Sequence, residues 1–283
     1  MSGQFSAYEA VIFRCLGSFP VLIVMLIRRG GFAQMVTPLL VRVLVRASIL
    51  CVGYFTFVLS IAAMPIANAV AIYFTMPFFV AGLAGPLLGE RVRVHRWMAI
   101  IAGFIGVLIM VRPGAGVFEP AAVLALISAF AYALGQTLGR PIAQQVPLAV
   151  IAMWQNIVYI STSLVLAVLF NSFDFSWLTH KSLMFLSRPW VWPNLHDGLI
   201  LGAIGILAAF GMMLFESAYK YGESNFVAPF EYSAMIWAVA YGLLLFGDFP
   251  SGFTWAGAAV VVTAGITMLW RDRKFDRAGA YRP

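Results

Sequence analysis

Long apolar segments fill most of this 283-residue chain, in which 62% of the residues are hydrophobic and only 10% are charged. Soluble domains carry roughly 25% charged residues, so the composition indicates an integral membrane protein. A helix that crosses the ~30 Å hydrocarbon layer needs roughly 17 to 25 residues. Nine segments have about this length, at 7–27, 43–63, 66–88, 95–111, 121–139, 147–170, 198–219, 224–246 and 253–270. The sequence therefore predicts an all-α polytopic membrane protein with nine transmembrane helices, surrounded by the lipid bilayer.

A short motif occurs twice, 158 residues apart, as LLGERVRVHRW from Leu87 to Trp97 and as LFGDFPSGFTW from Leu245 to Trp255. Each copy joins two apolar segments, so the duplicated unit is a helix, an acidic turn and a second helix. Pairing by the repeat puts the third segment with the eighth, the fourth with the ninth, the second with the seventh and the first with the sixth. Because five crossings separate the members of each pair, the second copy is predicted to be inserted upside down, as in carriers built from inverted repeats.

The fifth segment has no counterpart, because its equivalent would lie before Met1. The pattern is that of a ten-helix fold, with five helices in each repeat, that lacks its first helix. We expect the first repeat at 1–114, incomplete at its N-terminus, and the second repeat at 115–283. Together the two repeats are expected to form one membrane domain.

Basic residues in the short loops predict the orientation, because lysine and arginine accumulate on the cytoplasmic side. With the C-terminus in the cytoplasm, fourteen of them lie on that side, Arg42, Arg46 and Arg271 included, and three lie on the other. This pattern is typical of a multi-pass protein of the cell (inner) membrane. It also attributes the net charge of +7 to membrane topology, so no nucleic-acid partner is expected.

Ionisable residues inside the apolar segments are candidate functional residues, since a charge in the bilayer core is costly. Glu231 in the eighth segment and Arg14 in the first each lie about 10 Å from the nearer end of the segment, at ~1.5 Å per residue. A carboxylate at this depth must be paired, hydrated or protonated. Glu231 is therefore predicted to bind substrate or to couple transport to protons. Arg14 is a candidate substrate ligand, with outward snorkelling of its side chain as the structural alternative.

Polar and aromatic side chains at similar depths complete the predicted substrate site, and they suit a ligand with both a charge and a flat or apolar part. They are Tyr54, Asn68, Tyr73, Phe74, Trp154, Gln155, Asn156, Tyr159, Tyr232 and Trp237. Packing against lipid or neighbouring helices is the structural alternative for each aromatic residue. The repeat offset pairs Tyr73 with Glu231 and Phe74 with Tyr232, so equivalent positions carry different chemistry.

Two prolines interrupt segments that the repeat pairs, Pro77 in the third and Pro229 in the eighth. Proline removes a helical hydrogen bond and permits a kink, so both are predicted hinges, with static kinks as the alternative. The sequence contains no GxxxxGK, no HExxH and no plausible nucleophile–base set. Cys15 and Cys51 also lack the spacing of metal ligands. We therefore expect no enzymatic activity, metal or cofactor.

The stretch from Pro65 to Gly114, with its P…LGE…W pattern, and the stretch from Ala228 to Leu269, with its GD…W echo, resemble the EamA-type carriers of the drug/metabolite transporter superfamily. The similarity extends over nearly the whole chain. It implies ten helices in two inverted repeats around a central cavity, and transport of small metabolites that are amino-acid-like, S-adenosylmethionine-like or riboflavin-like. It also implies that FRCLGSFP, around Arg14, corresponds to the family's second helix, which carries a comparable arginine.

Three functions are compatible with these features. The first is a secondary transporter that moves a small organic metabolite by alternating access, with Glu231 as the proton-coupling residue. The second is a membrane-embedded enzyme acting on lipid, which requires a nucleophile or metal cluster that the sequence does not contain. The third is a noncatalytic membrane assembly or receptor subunit.

Overall fold

The computed structural model describes residues 5–28, 30–89, 94–111, 120–173, 175, 177, 179–221, 233–247 and 249–279. Within these ranges every regular element is helical, which confirms the predicted all-α class. The helices are α1 (Ala7–Arg28), α2 (Leu40–Ile61), α3 (Ile66–Tyr73), α4 (Met76–Leu88), α5 (Val94–Val111), α6 (Pro120–Ala143), α7 (Leu148–Ser172), α8 (Lys181–Leu186), α9 (Leu195–Tyr221), α10 (Ser233–Phe246) and α11 (Gly252–Gly279), with a 3₁₀ turn at Phe32–Met35.

Several of these helices are long and apolar enough to cross a membrane, so the chain is a multi-pass membrane protein. The described residues contain seven such stretches: Ala7–Arg28, Leu40–Ile61, Ile66–Leu83, Pro120–Ala143, Leu148–Ser172, Leu195–Leu214 and Gly252–Arg271. The predicted fourth and eighth crossings correspond to the shorter apolar stretches Trp97–Met110 and Ile236–Phe246. A total of nine crossings therefore stays a prediction.

The predicted third crossing is broken into two helices. Helix α3 ends at Tyr73, and α4 begins at Met76. In the turn between them, the backbone N–H and the hydroxyl of Thr75 both donate to the carbonyl of Ile72, at 3.0 and 2.8 Å. Pro77 has no N–H for the carbonyl of Tyr73, and in a continuous helix its ring would collide with that carbonyl. The break therefore lies where the proline requires it. Hinge motion at Pro77 stays a prediction, and Pro229 lies outside the described residues.

The chain forms two compact units, and each contains parts of both halves of the sequence. Unit 1 comprises residues 1–62 and 138–217, and unit 2 comprises residues 63–137 and 218–283. Unit 1 thus holds α1, α2, α7, α8 and most of α9, while unit 2 holds α3, α4, α5, α10, α11 and most of α6. Helices that the repeat pairs fall in the same unit, α1 with α7 and α2 with α9 in unit 1, and α5 with α11 in unit 2.

In unit 1, the paired helices α1 and α7 pack against each other in opposite directions. Near the start of α1, the hydroxyl of Tyr8 accepts a hydrogen bond from Asn171 at 3.2 Å. Further along α1, the hydroxyl of Ser18 donates to Asn156 at 3.0 Å. The residue number on α7 falls as the number on α1 rises, so the two helices are antiparallel.

In unit 2, the paired helices α5 and α11 touch through their backbones. A Cβ atom added to Gly106 would lie 2.8 Å from the carbonyl oxygen of Gly257 and 2.8 Å from a methyl group of Val261. A Cβ atom on Gly257 would collide with the carbonyl of Gly106 and also with Met110, one turn after Gly106. This order again shows that the helices are antiparallel. Phe78, Val107 and Val261 belong to the apolar core around the crossing.

The duplicated turn is visible in the backbone. Gly89 and Gly247, which the repeat pairs, follow α4 and α10, and both have φ of 69°. Their N–H groups donate to the carbonyls of Gly85 and Leu243 at 2.9 and 3.1 Å. Glycine commonly ends a helix in this left-handed conformation, because it has no Cβ atom to clash. The sequence match therefore corresponds to the same helix-ending geometry in both copies.

Two glycines of α9 provide a test of close packing in unit 1. A Cβ atom on Gly205 would overlap the carbonyl of Arg14 and lie 2.9 Å from Cα of Gly17, whereas nothing lies within 4 Å of a Cβ on Gly211. We expect Gly205→Ala to lower the free energy of unfolding by about 1–3 kcal/mol through overpacking. Gly211→Ala is the matched control, and it should be neutral or stabilising by up to about 1 kcal/mol because alanine favours helix. Thermal unfolding of the purified protein in detergent measures both, and equal melting temperatures for the two variants would contradict this packing.

Candidate functional site

An arginine of α1 lies against two tyrosine rings from neighbouring helices in unit 1. The guanidinium carbon of Arg14 is 4.6 Å from the ring centroid of Tyr54 in α2 and 5.5 Å from that of Tyr159 in α7. The two ring centroids are 5.4 Å apart, with the rings tilted by 44°. A cation within about 6 Å of a ring centroid is attracted by the negative face of the ring. The structure therefore brings three predicted site residues together and directs Arg14 towards α2 and α7.

The hydroxyl of Tyr159 links these rings to a second polar group. It donates to the carbonyl of Leu50 at 2.9 Å and accepts from the side-chain amide of Gln155 at 3.3 Å. The carbonyl oxygen of the Gln155 side chain accepts in turn from Nη1 of Arg46 at 3.4 Å. A continuous chain of contacts thus runs from Arg46 through Gln155 and Tyr159 to Arg14.

Arg46 is a site residue that the sequence reasoning missed. The loop count treats it as a loop residue on the cytoplasmic side, but α2 begins at Leu40 and Arg46 is only 4% exposed, so it is a buried residue of the helix. A Cβ atom on Gly139 would lie 2.5 Å from Nε of Arg46, so the guanidinium occupies space that a larger residue at 139 would take. The signal that could have identified Arg46 was its position inside the predicted 43–63 segment. When Arg46 is left out of the loop count, thirteen basic residues on the side of the C-terminus against three on the other side still favour a cytoplasmic C-terminus.

Two other predicted site residues of α7 hold neighbouring elements in place. The amide nitrogen of Asn156 donates to the carbonyl of Cys15 at 3.0 Å, and its oxygen accepts from the hydroxyl of Ser18, so Asn156 joins α7 to α1. The indole of Trp154 donates to the carbonyl of Met35 at 3.1 Å and anchors the 3₁₀ turn. Contact of either side chain with a substrate stays a prediction.

The remaining described candidates lie in unit 2. The side-chain oxygen of Asn68 accepts from the hydroxyl of Thr254 at 3.0 Å, which joins α3 to the first turn of α11. Phe74 is buried in the apolar core and is 5% exposed. Both side chains therefore have packing partners in this unit.

The two aromatic residues left in unit 2 differ in their surroundings. The ring of Tyr73 packs edge-on against Tyr132 of α6, with centroids 5.5 Å apart. Trp237 stacks on Tyr241, one turn later in α10, at 5.9 Å, and is 59% exposed. Glu231 and Tyr232 lie outside the described residues, so substrate binding by these two and proton coupling by Glu231 stay predictions.

A second missed residue is Glu9, a wholly buried carboxylate at the start of α1. One carboxylate oxygen accepts from the N–H and the hydroxyl of Ser6 at 2.7 and 2.8 Å, and the N–H of Glu9 donates back to that hydroxyl at 3.3 Å. This reciprocal pair is a capping box, which satisfies N–H groups at the start of a helix. The S-x-x-E pattern before an apolar run was its sequence signal.

The other oxygen of Glu9 fixes a distant segment. It accepts from the N–H of Val191 at 2.6 Å. Beside this bond, the hydroxyl of Tyr8 donates to the carbonyl of Arg188 at 2.6 Å, and the N–H of Trp190 donates to Asn171 at 3.1 Å. The segment 188–191 is therefore held against the start of α1 and the end of α7.

Comparison with known proteins assigns these helices to a family. The family model described as the EamA-like transporter family matches residues 1–112 and 119–271. A crystal structure of a protein with 19% sequence identity superposes with a TM-score of 0.64, covering 95% of this chain and 89% of that chain. This second likeness shows the fold alone.

Three relatives illustrate the range of molecules that such proteins handle. The riboflavin transporter of Rhizobium johnstonii is 29% identical over 254 residues, covering 90% of this chain and 78% of the relative. The S-adenosylmethionine uptake transporter of Rickettsia prowazekii is 21% identical over 268 residues, covering 95% of this chain and 84% of the relative. The pseudopaline exporter of Pseudomonas aeruginosa is 28% identical over 273 residues, covering 94% of this chain and 87% of the relative.

The contact of Glu9 with Val191 generates a prediction about the segment 188–191. Glu9→Ala removes the acceptor for two backbone N–H groups, and a buried donor without a partner costs about 1–3 kcal/mol. We expect lower thermal stability and faster amide hydrogen exchange in peptides that cover 188–191. Ser6→Ala is the control, because it weakens the capping box but leaves the bond to Val191. Unchanged exchange at 188–191 in Glu9→Ala would show that the carboxylate does not hold this segment.

Proposed function

This chain belongs to the EamA-like transporter family, and we propose that it is a secondary transporter that moves a small organic metabolite across the inner membrane by alternating access. The observation that carries this proposal is the family match over both halves of the chain, residues 1–112 and 119–271. The protein is a transporter rather than an enzyme. The three relatives are likewise named as transporters or exporters, so a noncatalytic assembly or receptor subunit is not favoured.

The packing of repeat-related helices supports this mechanism. In unit 1, α1 and α7 are antiparallel, and in unit 2, α5 and α11 are antiparallel. Two copies of one helical motif inserted in opposite senses are expected to pair in this way, and such inverted repeats underlie alternating access in many carriers. With thirteen basic residues against three, we propose that the C-terminus is cytoplasmic.

The chemistry of unit 1 suggests the substrate class. The guanidinium of Arg14 lies over the rings of Tyr54 and Tyr159, and a guanidinium is a group that recognises carboxylates and phosphates. Arg46 adds a second positive charge on the same chain of contacts. We propose a metabolite with a flat ring and an anionic group, bound by Arg14, Arg46, Tyr54, Gln155 and Tyr159. Substrate binding by Asn68, Tyr73 and Glu231 stays a prediction from the sequence.

Arg46 is the residue to test first, because it is buried and carries a charge. The assay is uptake of labelled riboflavin, S-adenosylmethionine and pseudopaline by proteoliposomes that contain the purified protein. A hydrogen bond to a charged group contributes about 1.5–3 kcal/mol, which corresponds to a roughly 10- to 100-fold change. We therefore expect Arg46→Gln to reduce uptake of an anionic substrate by at least about tenfold at substrate concentrations below KM.

Arg42→Gln is the matched control for this experiment. Arg42 lies one turn earlier on α2 and is exposed, so its loss should leave uptake close to that of the unmodified protein. An equal loss of uptake in the two variants would mean that Arg46 acts through the net positive charge of the protein rather than through contact with the substrate. Uptake that falls equally for neutral and anionic compounds would contradict recognition of an anionic group.

Proton coupling through Glu231 is tested in the same vesicles with an imposed pH gradient. Glu231→Gln keeps the size of the side chain but cannot release a proton, so we expect gradient-driven uptake to be lost while membrane insertion is retained. Glu216→Gln is the control, because the sequence places Glu216 three residues from the inner end of the seventh segment, within reach of water. Unchanged uptake and pH dependence in Glu231→Gln would refute the role.

A further inference from the structure

Helices α5 and α11 leave an open groove on one side of their crossing. They touch at Gly106 and Gly257, and a groove of about 480 Å³ is lined by α5 residues between Met98 and Ala102 and by α11 residues between Ala259 and Arg271. Ala99 and Ala264, each 8% exposed, lie deep in it, whereas Met98 is 60% exposed at its edge. Small residues between larger ones thus form this groove along the surface of unit 2.

The body of this groove is mostly apolar, and Thr263 and Thr267 are the two hydroxyl-bearing residues of its lining. Its lining includes Ala102, Val260 and Met268 in addition to the two buried alanines. The hydroxyl of Thr267, which also lines the groove, donates to the carbonyl of Thr263 in its own helix at 2.7 Å. Because its hydrogen bond is made within α11, this hydroxyl does not require a polar ligand. The groove therefore favours a hydrocarbon chain.

One end of the groove is cationic and lies at the level of the membrane surface. Arg271 lines that end, is exposed, and is the last residue of the candidate span Gly252–Arg271. Trp270 beside it is 61% exposed, and exposed tryptophans next to a membrane span lie at the headgroup level. The groove thus pairs an apolar body inside the bilayer with a guanidinium at the interface.

The length of the groove matches one leaflet. From Ala259 to Arg271 the helix rises roughly 18 Å, at ~1.5 Å per residue. Half of the ~30 Å hydrocarbon core is about 15 Å. We propose that this groove binds one anionic phospholipid, with an acyl chain along Ala99, Ala102 and Ala264 and the phosphate at Arg271.

Charge favours this ligand over a second copy of the chain or a zwitterionic lipid. Two copies facing each other across this groove, related by an axis along the membrane normal, would bring their Arg271 side chains together. The sequence that follows Arg271 contains Arg273, Lys274 and Arg277 as well as two aspartates. Basic residues at the membrane surface attract anionic lipids by about 1 kcal/mol each. The inference is independent of the transported substrate.

Retention of lipid by the purified protein tests the site. The protein is extracted, exchanged into detergent with equal amounts of phosphatidylglycerol and phosphatidylcholine, and examined by native mass spectrometry. We expect a complex with one phosphatidylglycerol that is at least about fivefold more abundant than the phosphatidylcholine complex. Arg271→Gln should abolish this preference, and Ala259→Phe, which fills the exposed edge of the groove, should reduce the binding of both lipids.

Arg28→Gln is the control, because Arg28 is an exposed arginine in the last turn of α1. It should leave the lipid preference unchanged. An undiminished preference in Arg271→Gln, or an equal loss in Arg28→Gln, would overturn the assignment. A two-chain complex that Ala259→Phe dissociates would also overturn it, by showing that a second copy covers the groove.

Discussion

The side-chain amide of Asn156 determines how α1 and α7 lie against each other, and the candidate site depends on that alignment. Its nitrogen donates to the carbonyl of Cys15, and its oxygen accepts from Ser18. No water is available in the bilayer core to replace these partners, so sliding one helix along the other would leave buried polar groups unsatisfied. In this alignment Arg14 precedes Cys15 and lies over the ring of Tyr159, one turn after Asn156. The cation–ring contact therefore follows from a structural hydrogen bond.

The corresponding pair in unit 2 achieves close packing by different means. Helices α5 and α11 approach until the backbones of Gly106 and Gly257 touch. Apolar side chains surround this contact and attract each other by dispersion forces. Such packing excludes polar groups from the crossing, whereas the contact between α1 and α7 requires them. The helices that the repeat pairs are thus antiparallel at both crossings, while the side chains at the two crossings differ in chemistry. As a result, unit 1 offers charged and hydrogen-bonding groups, and unit 2 offers a hydrocarbon groove.

The positions of the helices were largely predictable, because the length of an apolar segment directly reports a membrane crossing. The predicted segments 7–27 and 147–170 correspond to α1 at Ala7–Arg28 and α7 at Leu148–Ser172. A kink in the third segment was predictable from Pro77, since the bond that proline removes is local. Arg14 was identified for a similar reason, because a charge within an apolar run is costly wherever the run packs.

Contacts between helices were not predictable, because they depend on which face of each helix meets which neighbour. Trp154 and Gln155 are adjacent in sequence, yet the 100° rotation between them directs one to the 3₁₀ turn and the other to Arg46. Arg46 lies inside the predicted segment 43–63 but close to its end, and the sequence does not show whether a charge at a helix end faces water or a neighbouring helix. Glu9 was overlooked because its loop partner, Val191, is 182 residues away. Local energetics thus identifies which charges are costly, whereas the partner that stabilises each charge is known only once the helices are assembled.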